Sequence, residues 1–119
     1  MVKKFDKISN SAHLFQILGS NEDRVIIKFT ADWCGPCKRA KPLIDEKLEE
    51  LPDTVSYYEL DVDDCIEIYG FFMTKKMVKG IPAMLCWKKG NFNFIPDYML
   101  SGANPTEINS VFEMIKKNE

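Results

Sequence analysis

The chain has little of several things, and each shortage excludes a class. It has four cysteines in 119 residues, too few for a small domain built on disulfides. It has one histidine, His13, and no second Cys-x-x-Cys, so a four-ligand zinc site lacks half its ligands. It lacks a basic excess: the net charge of −2 argues against a largely electrostatic nucleic-acid binder. No apolar run approaches the ~18 residues of a membrane span. No apolar segment follows the opening Met-Val-Lys-Lys-Phe-Asp, so no secretory signal is expected. Val2 and the ending Lys-Lys-Asn-Glu carry no lipidation signal. Repeats, linkers and low-complexity tracts are also missing. The expectation is one domain over residues 1–119, monomeric and cytoplasmic, with the nucleus also open to it, and binding neither nucleic acid nor membrane.

What is present alternates between two periodicities. Phe5–Ile8 reads as a short strand. Asn10 or Ser11 can cap a helix with Leu14, Phe15 and Leu18 on one face. Arg24–Thr30 contains Val-Ile-Ile-Lys-Phe, the nearly continuous run of a strand buried on both faces. A helix from Cys34 carries Ala40, Leu43, Ile44, Leu48 and Leu51 at 3.6 spacing, interrupted by Pro42. Thr54–Val62 is a strand, and Asp63 or Asp64 can cap a helix from Ile66 to about Phe72. Ala83–Trp87 and Phe92–Ile95 read as a hairpin about Lys88-Lys89-Gly90-Asn91. Asn104 and Pro105 open a last helix whose buried stripe is Ile108, Val111, Phe112 and Ile115. The order β-α-β-α-β-α-β-β-α implies an α/β fold, a mixed central sheet with helices on both faces.

Trp33-Cys34-Gly35-Pro36-Cys37-Lys38 joins a buried strand to a helix start. Two thiols at this spacing can close a small disulfide. Cys34 at the cap meets free backbone N–H groups and the positive helix end, which favour its thiolate. Cys37, one turn inside, is expected to be less exposed. That asymmetry makes Cys34 the attacking thiolate and Cys37 the resolving one, while Gly35 and Pro36 keep the sulfurs close. Half a zinc site and a purely structural pair are the alternatives.

With Phe29, Ala31, Pro42, Asp61-Val62-Asp63, Gly80-Ile81-Pro82, Lys89-Gly90 and Gly102 added to this motif, the chain resembles the thioredoxin family nearly end to end. Within it the pattern is nearer to animal cytosolic members than bacterial ones. The resemblance implies a thioredoxin fold and reduction of protein disulfides through a redox-active Cys34–Cys37 disulfide and a mixed-disulfide intermediate. It implies no bound cofactor and no metal. Its partners would be disulfide-containing proteins, with an NADPH-dependent thioredoxin reductase as electron donor. It also implies that Ile81-Pro82 is cis and faces the cysteines, and that Trp33 walls the substrate groove.

Departures from the family pattern raise further expectations. Lys28 replaces a buried Asp, and Glu59 on the neighbouring strand is expected to pair with it. Lys28, Glu59 and Lys38 would then tune the cysteine pKa values, with Lys28 beneath the pair. Lys28 is also the feature that favours a rival class, a thioredoxin-like interaction module whose redox activity is secondary. Segments 63–82 and 90–102 are longer than the pattern, and the first is expected to end beside the active face. Cys65 is expected to be accessible and able to link two chains, because Phe72 stands where its usual partner would be. Cys86 reads as a small buried hydrophobe.

Overall fold

A computed structural model of the chain describes residues 1–117; positions 118–119 of the expected domain lie outside the described residues. The elements are β1 (Lys3–Phe5), α1 (Ser11–Gly19), β2 (Arg24–Thr30), α2 (Gly35–Glu49), β3 (Ser56–Asp61), α3 (Ile66–Thr74), β4 (Ala83–Lys88), β5 (Tyr98–Ser101) and α4 (Pro105–Lys117). They follow the expected order. The five strands run β1-β3-β2-β4-β5, with β1, β3 and β2 parallel, β4 antiparallel to β2, and β5 antiparallel to β4.

β2 lies at the centre, and its side chains alternate between two cores. Val25, Ile27 and Phe29 pack with Leu14 and Leu18 of α1 and Ile68 and Phe72 of α3. Ile26 packs with Ala40, Ile44 and Leu48 of α2 and with the α4 stripe of Ile108, Val111, Phe112 and Ile115. Lys28 falls on the second face, in register with Glu59 on β3 and Met84 on β4.

Caps behave as their chemistry requires. The Asn10 side chain accepts the His13 N–H, and Asn104 Oδ1 accepts those of Thr106 and Glu107. α3 differs from expectation: Cys65, not Asp63 or Asp64, holds its N-cap position, without a side-chain cap. Asp61 takes the turn instead, accepting the Asp63 N–H at 2.8 Å.

Two strand expectations are corrected. β1 lies at Lys3–Phe5, not Phe5–Ile8, because Lys3 N–H bonds Val55 O and sets its parallel register on β3. The second hairpin strand is Tyr98–Ser101, not Phe92–Ile95. The alternation of Phe92-Asn93-Phe94-Ile95 imitates a strand, but its asparagines bond the local backbone. Asn91 Oδ1 accepts Asn93 N–H, Asn93 Oδ1 accepts Ile95 N–H, and the Asn91 amide donates to Ile95 O. The buried Trp87 indole then donates to Asn93 O, tying the loop down.

The two long segments pack on each other. Phe71 meets Phe94 edge-on at 5.9 Å, and Lys75 lies over both rings. The loop bearing Phe94 follows Lys88, at the Arg24 end of β2, whereas Cys34 follows the Thr30 end. Residues 71–75 therefore brace the far end of the sheet, away from the cysteines.

Candidate active site

β2 delivers the chain through Ala31 and Trp33 to the start of α2. Cys34 is the N-cap of α2, with φ −91° and ψ 108°, extended rather than helical. Pro36 stands in the first turn, where its missing N–H costs nothing. Cys34 and Cys37 are joined by a disulfide with Cα atoms 5.3 Å apart. The Cys37 N–H donates to Cys34 Sγ at 3.2 Å. Cys34 thus occupies the position where a helix start favours an anion, as the spacing predicts. Burial separates the two less than expected: Cys34 is 5% exposed and Cys37 3%.

Ile81-Pro82 is cis, and Ile81 O lies 3.9 Å from Cys34 Sγ, so this loop does face the cysteines. Gly102 donates its N–H to Pro82 O at 2.9 Å from a backbone with φ +89°, a conformation that favours glycine. Trp33 is 68% exposed, and its Nε1 donates to Asp63 Oδ2 at 2.9 Å. Asp63, within Asp61-Val62-Asp63, and Gly102, on its own, were legible only as family-like residues, since their contacts lie far along the chain. Gly35, Pro36, Trp33, Ile81 and Pro82 thus border one face around the disulfide. Lys38 is exposed on the first turns of α2.

The second cluster lies under α2. Lys28 is 1% exposed, and its Nζ meets Glu59 Oε1 at 3.0 Å. The same oxygen receives the Tyr57 hydroxyl at 3.0 Å, and Lys41 Nζ lies 3.6 Å away. Burial pushes the Glu59 carboxyl up, but Lys28, Lys41 and Tyr57 together outweigh it and hold the carboxyl below its ordinary value. Burial, then the Glu59 charge, pushes the Tyr57 phenol far up, so it stays a donor. Glu59 opens into a cleft of about 640 Å³ lined also by Lys4, Asp6, Lys41 and Asp45. No cysteine lines this cleft. Cys34 and Cys37 belong to the first core, with Phe29, Ala31 and Leu60, whereas Lys28 lies on the other face of β2, where its ammonium meets Glu59.

Cys65 is corrected. It is only 4% exposed, with Sγ 3.8 Å from Asp6 O beneath the β1–α1 connection. Burial raises its pKa, the Ile8 backbone offsets part of that rise, and Asp64 adds a smaller raising effect. An accessible thiol linking two chains does not fit this position. Cys86 is buried as expected, and burial pushes its thiol up to about 12. Among the described residues no group of three His, Cys, Asp or Glu side chains could hold a metal ion.

A redox disulfide at a helix N-terminus, faced by a cis-proline loop on a five-stranded mixed sheet, defines a dithiol–disulfide oxidoreductase of thioredoxin fold. The thioredoxin family model matches residues 6–114. Horse (Equus caballus) thioredoxin is 37% identical over 90 residues, covering 76% of this chain and 79% of that protein. Thioredoxin of the sponge Geodia cydonium is 36% identical over 95 residues, 80% of this chain and 79% of its own. The crystal structure of Malassezia sympodialis thioredoxin superposes with a TM-score of 0.67 at 27% identity, covering 98% of this chain and 96% of that one. The chain belongs to the thioredoxin family.

Proposed function

We propose that the protein reduces disulfides of other proteins, with Cys34 as nucleophile and Cys37 as resolving thiol. The Cys34 thiolate attacks one sulfur of the substrate disulfide and the other sulfur leaves as a thiolate. Cys37, deprotonated, then attacks Cys34 Sγ, releasing the second substrate thiol and closing Cys34–Cys37. Two electrons pass from the dithiol to the substrate. The observation that carries the assignment is the Cys37 N–H on Cys34 Sγ at the α2 N-terminus. That donor and the helix end stabilise charge on Cys34.

Trp33, Gly35, Pro36, Ile81 and Pro82 form the substrate groove in this reading. Lys28, Glu59 and Lys38 tune the thiols electrostatically. The chemistry needs no bound cofactor. Electrons come from a thioredoxin reductase using NADPH, by analogy with the family, and the protein works as a cytoplasmic monomer, with the nucleus also open to it.

Turnover of a disulfide-bonded test protein checks this, first with dithiothreitol and then with a thioredoxin reductase and NADPH. Turnover in both is the expected result. Turnover with dithiothreitol alone would refute the proposed electron donor. No turnover in either would refute the reductase and leave the interaction module.

A further inference from the structure

Arg39 sits one turn past Gly35 on the exposed side of α2. Helical side chains lean back toward the helix N-terminus. Its Nη1 lies 3.5 Å from where a Cβ on Gly35 would stand. The guanidinium therefore rests against the dipeptide between the two cysteines. A cation here opposes the α2 dipole, and α2 has no acidic residue in its first turn to offset it. Among the described residues no carboxylate lies within ion-pair distance of Arg39. Around the start of α3 the charge changes sign: Asp63 holds the indole of Trp33, the residue before Cys34, and Asp64 and Glu67 follow, all exposed. The groove thus has a cationic flank on α2 and an anionic flank at the start of α3.

We infer that Arg39 is a specificity-determining residue, receiving the carboxylate of an Asp or Glu that flanks the attacked cysteine in the substrate polypeptide. The inference rests on Cys34 being the nucleophile. A guanidinium matches a carboxylate with two parallel N–H donors, and here it meets one without leaving an internal partner. The contact holds the substrate segment over the groove while Cys34 exchanges with its disulfide. No electron passes through Arg39.

The test uses the reduced protein as sole two-electron donor in single turnovers, one dithiol oxidised per disulfide reduced. Three peptide disulfides differ only in the residue beside one half-cystine: Glu, Gln or Lys. At low salt the wild type should reduce the Glu peptide about three-fold faster than the Gln peptide, the size of an exposed ion pair, and the Lys peptide slowest. Arg39→Gln should bring the three rates together, Arg39→Glu should invert their order, and added salt should flatten the wild-type preference. Lys3→Gln, a matched loss of charge on β1, should leave the preference intact. Equal slowing of all three peptides in Arg39→Gln would make Arg39 only a tuner of Cys34 and overturn the inference. Failure of the wild type to reduce any peptide would overturn the nucleophile assignment itself.

Discussion

Replacing Glu59 by Gln removes the charge that compensates Lys28 while keeping the side chain's shape. Lys28 is 1% exposed, so its ammonium would be left under α2 with no carboxylate at 3.0 Å. Breaking a fully buried ion pair from one side costs about 3–5 kcal/mol. Glu59 is 34% open to solvent, which already screens the pair. The expected loss is therefore lower, about 2 kcal/mol, or roughly 1 M in the urea midpoint if the slope is about 2 kcal/mol/M. Lys28→Met combined with Glu59→Gln should recover most of that loss, because no buried charge remains. The pH dependence follows in sign. Glu59 is held below its ordinary carboxyl value in the folded state, so its contribution is complete above about pH 4.3 and disappears as pH falls through the lowered value. The gap between wild type and Glu59→Gln should close in that acid window. Equilibrium urea unfolding across pH measures all three. A Glu59→Gln cost below about 0.5 kcal/mol, or a double variant weaker than the single, would refute the account of a buried compensated cation.

Cys37→Ser should trap substrate proteins as mixed disulfides on Cys34, and Cys34→Ser should trap none; equal trapping, read on non-reducing gels, would refute the assigned roles. In the reduced folded protein, alkylation should label Cys34 first and reach Cys65 and Cys86 only on unfolding, because burial raises the pKa of both while the α2 N-terminus favours the Cys34 thiolate; labelling of Cys65 as fast as Cys34 in mass spectra would refute this difference. Asp63→Ala should free the exposed Trp33 indole, lowering its fluorescence anisotropy and raising KM for protein disulfides a few-fold, while the buried Trp87 stays unchanged. Glu59→Gln should also lower the Cys34 pKa, since the Lys28 charge is then unbalanced, and Lys28→Asp should raise it; thiolate absorbance against pH tests both, and no movement in either variant would remove these residues from the reaction.

The sequence made the redox centre legible because its chemistry is local. A strand-like apolar run, a helix start and two cysteines one turn apart lie within one short stretch, and local rules place them. The Lys28–Glu59 pair was legible for a different reason. A lysine inside Val-Ile-Ile-Lys-Phe cannot stay buried alone, and the parallel register offers Glu59 as its neighbour. Failures came where local pattern and tertiary bonding disagree. Phe92–Ile95 alternates like a strand, yet its backbone is satisfied by asparagine side chains and the Trp87 indole. Cys65 borders acidic residues that suggest a surface, yet its cover is Asp6, far back in the chain. Arg24 read only as the polar start of a strand. It is buried, with Nη1 donating to Ile115 O near the end of α4 and Nε donating to Asp23. The Arg24 guanidinium then lowers the Asp23 pKa ahead of the Thr54 hydroxyl, against a raising by burial. One cation thus satisfies a late carbonyl of the helix that closes the second core, and it favours the negative end of the helix dipole. Lys28 and Arg24, the two buried charges of β2, face opposite demands: Arg24 is held by a carboxylate and a helix end remote from the cysteines, Lys28 by a carboxylate that also meets solvent. Glu59 is the more open of the two carboxylates, 34% against 17% for Asp23, and its cation sits in the sheet beneath α2, which makes Glu59, rather than Asp23, the carboxylate to vary when the thiols are titrated.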